Sequence, residues 1–107
     1  MIWVILCKDK PNSHEKRMEV IDEHRKYLST KPIKTLLSGP LTDISGIKMN
    51  GSFFMVEANS EEEIKVFQHN DPIFKANIWD EIIISPFNKR VDNLSKKYEV
   101  KKCPENS

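Results

Sequence analysis

Glycine is scarce in this chain, with three residues at positions 39, 46 and 51. They are too scattered to form a glycine-rich phosphate loop, so no nucleotide cofactor is implied. Histidine is equally thin. His14, His24 and His69 are dispersed, and Cys7 and Cys103 have none of the close spacing that metal or redox sites use, so no metal is expected. Both cysteines read as free thiols of a reducing, cytoplasmic setting. There is no excess of one charge either: 17 Lys+Arg against 16 Asp+Glu leave a formal net charge of +1, which argues against a dedicated nucleic-acid or anionic-membrane surface. The opening run Ile2–Cys7 is too short for a membrane span or a signal peptide and leads straight into charge.

What remains is the composition of one small globular domain, 38% hydrophobic and 31% charged over 107 residues. The charge is uneven. Residues 88–107 carry six bases (Lys89, Arg90, Lys96, Lys97, Lys101, Lys102) and three acids (Asp92, Glu99, Glu105), a local +3 that leaves −2 for residues 1–87. The chain therefore divides into a domain over 1–88 and a basic C-terminal tail over 89–107. In the tail, Val91, Leu94 and Tyr98 have helical spacing within Lys-, Asn- and Ser-rich sequence, which fits a short amphipathic helix or disorder.

Ile2–Cys7 is a continuous apolar run, as expected of a central strand. From Ser13 to Thr30 the pattern is helical, with an Asn12/Glu15 capping box and Arg17, Ile21, His24 and Leu28 on one semi-apolar face. Ile33–Ser38 reads as a second strand, ended by a Gly39-Pro40 turn. Gly51–Ala58 is a third strand. A helix capped by Ser60 and Glu63 runs to about Asn70, with Ile64, Phe67 and Val66 inward. Asp71-Pro72 restarts the chain in one helical turn before a last strand, Glu81–Ser85, which Pro86-Phe87 ends.

The order β-α-β-β-α-β is that of an α+β ferredoxin-like fold, an antiparallel sheet with both helices on one face. The other face has no helix left to cover it, so homodimerisation through the open sheet face is the simplest expectation.

An ordered set of residues carries a family resemblance over about positions 1–90: Asp9-Lys10, Glu15-Lys16-Arg17, the helical His24, Ser38-Gly39-Pro40, Gly51-Ser52, Asp71-Pro72 and Pro86-Phe87. In these the chain resembles the YciI-like family. The resemblance implies a dimeric α+β barrel similar to that of muconolactone isomerase, with a pocket centred on a His and an Asp that correspond to His24 and Asp71. Known members include a dehydrochlorinase of a chlorinated hydroxyhydroquinone. Where members often have Ala-Gly before the last strand, this chain has Ala76-Asn77.

A His24–Asp71 pair would place a proton-moving imidazole against a carboxylate that fixes its tautomer. Two plainer readings compete: a partly buried helix histidine, and an Asp that only caps the turn begun by Pro72. Capping and pairing can coexist, one carboxylate oxygen serving each. Ser38, Gly39, Pro40 and Ser52 are candidates to line the pocket, and Arg17 to hold a substrate carboxylate, against the alternative of turn residues and a solvated arginine. Trp79 and Phe74 read as packing, and His14 and His69 as solvated.

Geometry sets a condition on the pair. In this topology Asp71 is expected near the start of helix one, whereas His24 lies about 16 Å along an unbroken helix from Ser13. The contact therefore predicts a bend, with Ser13–Glu19 a separate turn and the main helix beginning near Ile21–Asp22. Two functions follow. One is a cofactor-independent lyase or isomerase, acting, as the resemblance implies, on a small cyclic or aromatic acid. The other is a non-catalytic dimeric module that binds a small ligand or a protein.

Overall fold

The apolar alternation of the strands and the length of the two main helices fix the architecture. A computed structural model describes residues 1–94. Its elements are β1 (Ile2–Asp9), α1 (His14–Ser29), β2 (Lys34–Thr42), β3 (Met49–Glu57), α2 (Glu61–His69), α3 (Pro72–Lys75) and β4 (Trp79–Phe87). The sheet runs β2-β3-β1-β4, antiparallel at every step. This is the expected α+β ferredoxin-like order with the helices on one face.

Strand alternation sorts the side chains. Cys7 lies between Ser52 and Ile82 in the ladder, and Ile5 between Phe54 and Ile84, so these residues share the helix-facing side. There they pack with Ile21, Ile64, Phe67, Ile73 and Ile78 to form the core. Each such side chain, fully buried, contributes roughly 1.5–3 kcal/mol. Phe67 anchors both helices: it meets Phe54 edge-on at 5.5 Å, stacks on Tyr27 at 5.9 Å, and its carbonyl accepts the Tyr27 hydroxyl at 2.7 Å. On the opposite side of β1, Ile2, Val4 and Leu6 have ladder partners Met55, Phe53, Ile83 and Phe87, and no helix lies over them.

Several boundaries differ from the sequence expectation. Gly39-Pro40 does not turn the chain; both residues sit inside β2, opposite Phe53 and Ser52. Proline survives there because β2 is an edge strand, where a missing N–H breaks no inner ladder. Pro86 likewise lies within β4, the other edge. The Asn12/Glu15 box is absent. Asn12 takes a left-handed φ of 60°, and the N-cap is Ser13, which makes no side-chain cap bond. The second cap is as expected, with Ser60 Oγ accepting from the Glu63 amide at 3.3 Å. Val66 is exposed, and Gln68 takes its inward place.

The expected bend in helix one is also absent, since α1 is unbroken over 16 residues. The error lay in placing Asp71. At 1.5 Å per residue α2, with nine residues, spans about 14 Å against about 24 Å for α1. The chain thus leaves α2 part-way along the sheet, opposite the middle of α1, and α3, packed on α1, covers the remaining distance to β4.

Residues 88–94 have no regular structure, with Lys89 paired to Asp92 at 3.2 Å. The rest of the basic tail, including Tyr98 of the expected helical stripe, lies outside the described residues. No helix among the described residues is long and apolar enough to cross a membrane.

Candidate functional site

The stripe of α1 facing the sheet is not uniformly apolar: Arg17, Ile21 and His24 are all buried on it. Burying a guanidinium and an imidazole demands partners, and the elements opposite supply them. Asp71, at the N-cap of α3, brings its carboxylate to His24, with Nδ1 to Oδ1 at 2.8 Å and both side chains fully buried. The same Oδ1 accepts the Ile73 amide at 2.8 Å. Capping and pairing thus coexist, through one oxygen rather than two. Asp71 Oδ2 and His24 Nε2 have no hydrogen-bond partner.

With Asp71 ionised, its acceptor-only oxygen requires the proton on Nδ1 of a neutral His24, which leaves a lone pair on the buried Nε2.

Arg17 is the other pole. It is fully buried, not solvated. Nε donates to Asp9 Oδ2 at 2.8 Å, Nη2 to Asp9 Oδ1 at 3.2 Å and to Ser52 Oγ at 2.6 Å, while Nη1 is unpartnered. A forked guanidinium–carboxylate pair of this kind is rigid. Ser52 is therefore committed to holding Arg17.

Between the poles lies Cys7. Its thiol is pushed up to about 12, first by burial and then by the charge of Asp71, with Arg17 pulling the other way. It is not a nucleophile in this state. Gln68 Nε2 rests on Cys7 Sγ at 3.8 Å. Burial, with the Asp71 charge behind it, also raises Tyr27. Trp79 Nε1 is a further buried donor without a partner.

Of the candidates from sequence, the fold brings together His24 with Asp71, and Arg17 with Ser52. Ser38, Gly39 and Pro40 lie on the edge strand β2, opposite Phe54, Phe53 and Ser52. Phe74 and Trp79 pack edge-on at 6.4 Å, as expected. His14 is not merely solvated: its Nδ1 accepts the Met49 amide at 3.2 Å and the ring lines a cleft of about 560 Å³ with Asp9 and Lys48. His69 lies against Phe74 at 4.6 Å.

Asp9, Cys7 and Gln68 were not singled out as site residues from sequence. Gln68 had a signal, since it follows Ile64 by four on the buried stripe of α2. Asp9 had none, because its partner lies eight residues on across a turn. Among the described residues no group of three or more His, Cys, Asp or Glu is placed to hold a metal.

This arrangement has relatives. The YCII-related domain model matches residues 1–88. Protein YciI of Escherichia coli is 29% identical over 96 residues, covering 83% of this chain and 98% of that protein. An uncharacterized protein of Haemophilus influenzae is 28% identical with the same coverage. Among solved structures, 5-chloro-2-hydroxyhydroquinone dehydrochlorinase from Burkholderia phenoliruptrix, in complex with 2,5-dihydroxybenzoquinone, superimposes with a TM-score of 0.77 at 30% identity, covering 82% of this chain and 94% of that one. With the domain model spanning β1 to β4, the chain belongs to the YciI-like family.

Proposed function

We propose that this protein is a small cofactor-independent enzyme, of lyase or isomerase type, that moves a proton on a small cyclic or aromatic acid. The observation that carries the reading is the buried His24–Asp71 pair, with Nδ1 engaged and Nε2 unpartnered. His24 Nε2 takes a proton from carbon or oxygen of the substrate, and Asp71 stabilises the imidazolium that forms. Returning that proton to another atom completes an isomerisation. In an elimination, the electrons of the broken C–H bond form the new double bond and the leaving group departs with its own bonding pair. Arg17 Nη1 is suited to the substrate's carboxylate or oxyanion, since Asp9 and Ser52 fix the guanidinium without using that nitrogen. The dehydrochlorinase likeness supports the elimination variant.

The active form is a homodimer paired through the open sheet face, where Leu37, Ile83 and Phe87 are each more than two-fifths exposed. Ile83→Glu is expected to yield a folded monomer by light scattering; an unchanged mass would refute the pairing.

The test of activity is a panel of small cyclic hydroxy and halogenated acids followed by NMR in D2O, which reads both deuterium exchange and halide or water loss. His24→Gln is expected to reduce turnover at least about 10²-fold. Turnover that survives this change would overturn the assignment. A second reading, a non-catalytic ligand-binding module, is favoured by the complete burial of both side chains and by the structural duty of Asp71 at α3. Binding without turnover across the panel would select it.

A further inference from the structure

The His24–Asp71 pair is fully buried, so a ligand that reaches it must pass a side chain that can move. Two surface depressions border the buried polar cluster. One is the cleft at the end of β1, closed by Asp9. The other is a groove of about 430 Å³ between α2 and β4, lined by Lys65, Gln68, His69, Phe74, Ile82 and Ile84. Asp9 is locked to Arg17 by two charged hydrogen bonds at 2.8 and 3.2 Å. Gln68 is held by an amide–thiol contact of 3.8 Å, the weakest acceptor type a side chain offers. The difference decides which opens first, because charge-assisted forked pairs far outlast a neutral bond to sulfur.

We propose that the α2–β4 groove is the ligand entry to the buried site, with Gln68 as its gate, and that it admits a flat unsaturated ring. This rests on the site reading above. The path is contiguous: Gln68 and Ile82 line the groove and both neighbour Cys7, which pairs across the ladder with Ser52, the residue that holds Arg17 in the buried cluster. The wall fits a planar guest, since the His69 and Phe74 rings stack at 4.6 Å with a 31° tilt on one side and Ile82 and Ile84 face them from β4. Lys65, although within 3.6 Å of Glu61, is half exposed at the mouth and suits a guest carrying a carboxylate. The groove lies on the helix side of the sheet, so pairing through the open face leaves it clear.

Cys7 makes the gate measurable without turnover. In a Cys103→Ser background, Cys7 is the one remaining thiol, and swinging Gln68 outward uncovers it. Iodoacetamide labelling of Cys7 is expected to quicken at least about tenfold in Gln68→Ala, beyond whatever urea unfolding of the same variant accounts for. Asp9→Asn serves as the control. Its labelling should rise only as far as its lost stability predicts. Salicylate is the probe ligand: in NMR spectra of the histidine rings, His69 and His24 should shift and His14, in the other cleft, should not.

A Gln68→Ala rate explained wholly by global unfolding overturns the gate, as does a salicylate response confined to His14. Should no ring respond to salicylate, the labelling rates alone decide. Fast labelling with no turnover on any substrate would leave the entry route standing and remove only the enzyme reading.

Discussion

Arg17 and Ser52, 35 positions apart, meet through a 2.6 Å hydrogen bond in the protein interior, and the same guanidinium grips Asp9 on its other edge. Removing either charge of the Asp9–Arg17 pair strands the other where water cannot reach it. Arg17→Met and Asp9→Asn are each expected to cost about 3–5 kcal/mol in urea unfolding. The double change Asp9→Leu with Arg17→Met should recover much of that loss, because it strands no charge. Single variants that cost under about 1 kcal/mol would mean the pair is solvated.

Asp71 separates structure from chemistry. Asp71→Ala removes the cap of α3 and the partner of His24, for an expected loss of about 2–4 kcal/mol. Asp71→Asn keeps a capping oxygen, so it should lose no more than about 1–2 kcal/mol. The retained oxygen can still accept from both the Ile73 amide and His24 Nδ1–H, but the negative charge that stabilises the imidazolium is gone. Nitrogen-15 shifts of the His24 ring should still show the proton on Nδ1, and any turnover should fall by about 10²–10⁴ for want of the carboxylate charge. A ring protonated on Nε2 in the unaltered protein would contradict the assigned geometry.

Alkaline pH should weaken the fold through Cys7. Burial raises its thiol from an ordinary 9.0 to about 12 in the folded state. Between those values the unfolded chain has lost the proton and the folded one has kept it, so stability falls as pH rises. Below pH 9 this contribution is constant. The slope is at most about 1.4 kcal/mol per pH unit from one group. Tyr27, also raised, acts in the same direction at higher pH. Urea midpoints at pH 8 and 10 should converge in Cys7→Ala relative to the parent; equal pH dependence in both would refute the assignment.

Two glycines of the family-like pattern should behave oppositely. A Cβ on Gly51 would run into the Cys7 carbonyl oxygen and the Leu41 side chain, whereas one on Gly39 meets nothing within 4 Å. Gly51→Ala is expected to lose about 1–3 kcal/mol, since the obstacle is the backbone of β1. Gly39→Ala should stay within about 0.5 kcal/mol of the parent. Thermal melts of the two variants give the comparison.

The order of elements was legible because strand alternation and helical stripes are local signals, and the β1 run, the α2 cap at Ser60 and the Asp71-Pro72 restart all fall where expected. The Asn77 position was legible in part. The family resemblance sets a glycine there, and Asn77 takes a φ of 58°, a left-handed turn that asparagine tolerates. What failed was metrical. Gly39-Pro40 read as a turn because edge position, which excuses a strand proline, is a property of the finished sheet. The bend expected in α1 came from treating the two helices as equal in reach. The burial of Arg17 escaped because its partners, Asp9 and Ser52, join it only in three dimensions.

The brevity of α2 has a consequence for how this chain can vary. A residue gained or lost inside that nine-residue helix turns everything after it by about 100° and shifts it by about 1.5 Å. That swings the Asp71 carboxylate off the imidazole while leaving the sheet intact. Sequences that share the pair are thus expected to hold the spacing from Ser60 to Asp71 fixed, and to place their insertions in the β2–β3 hairpin around Gly46 instead. The second helix works as a ruler, and its length is read out at His24.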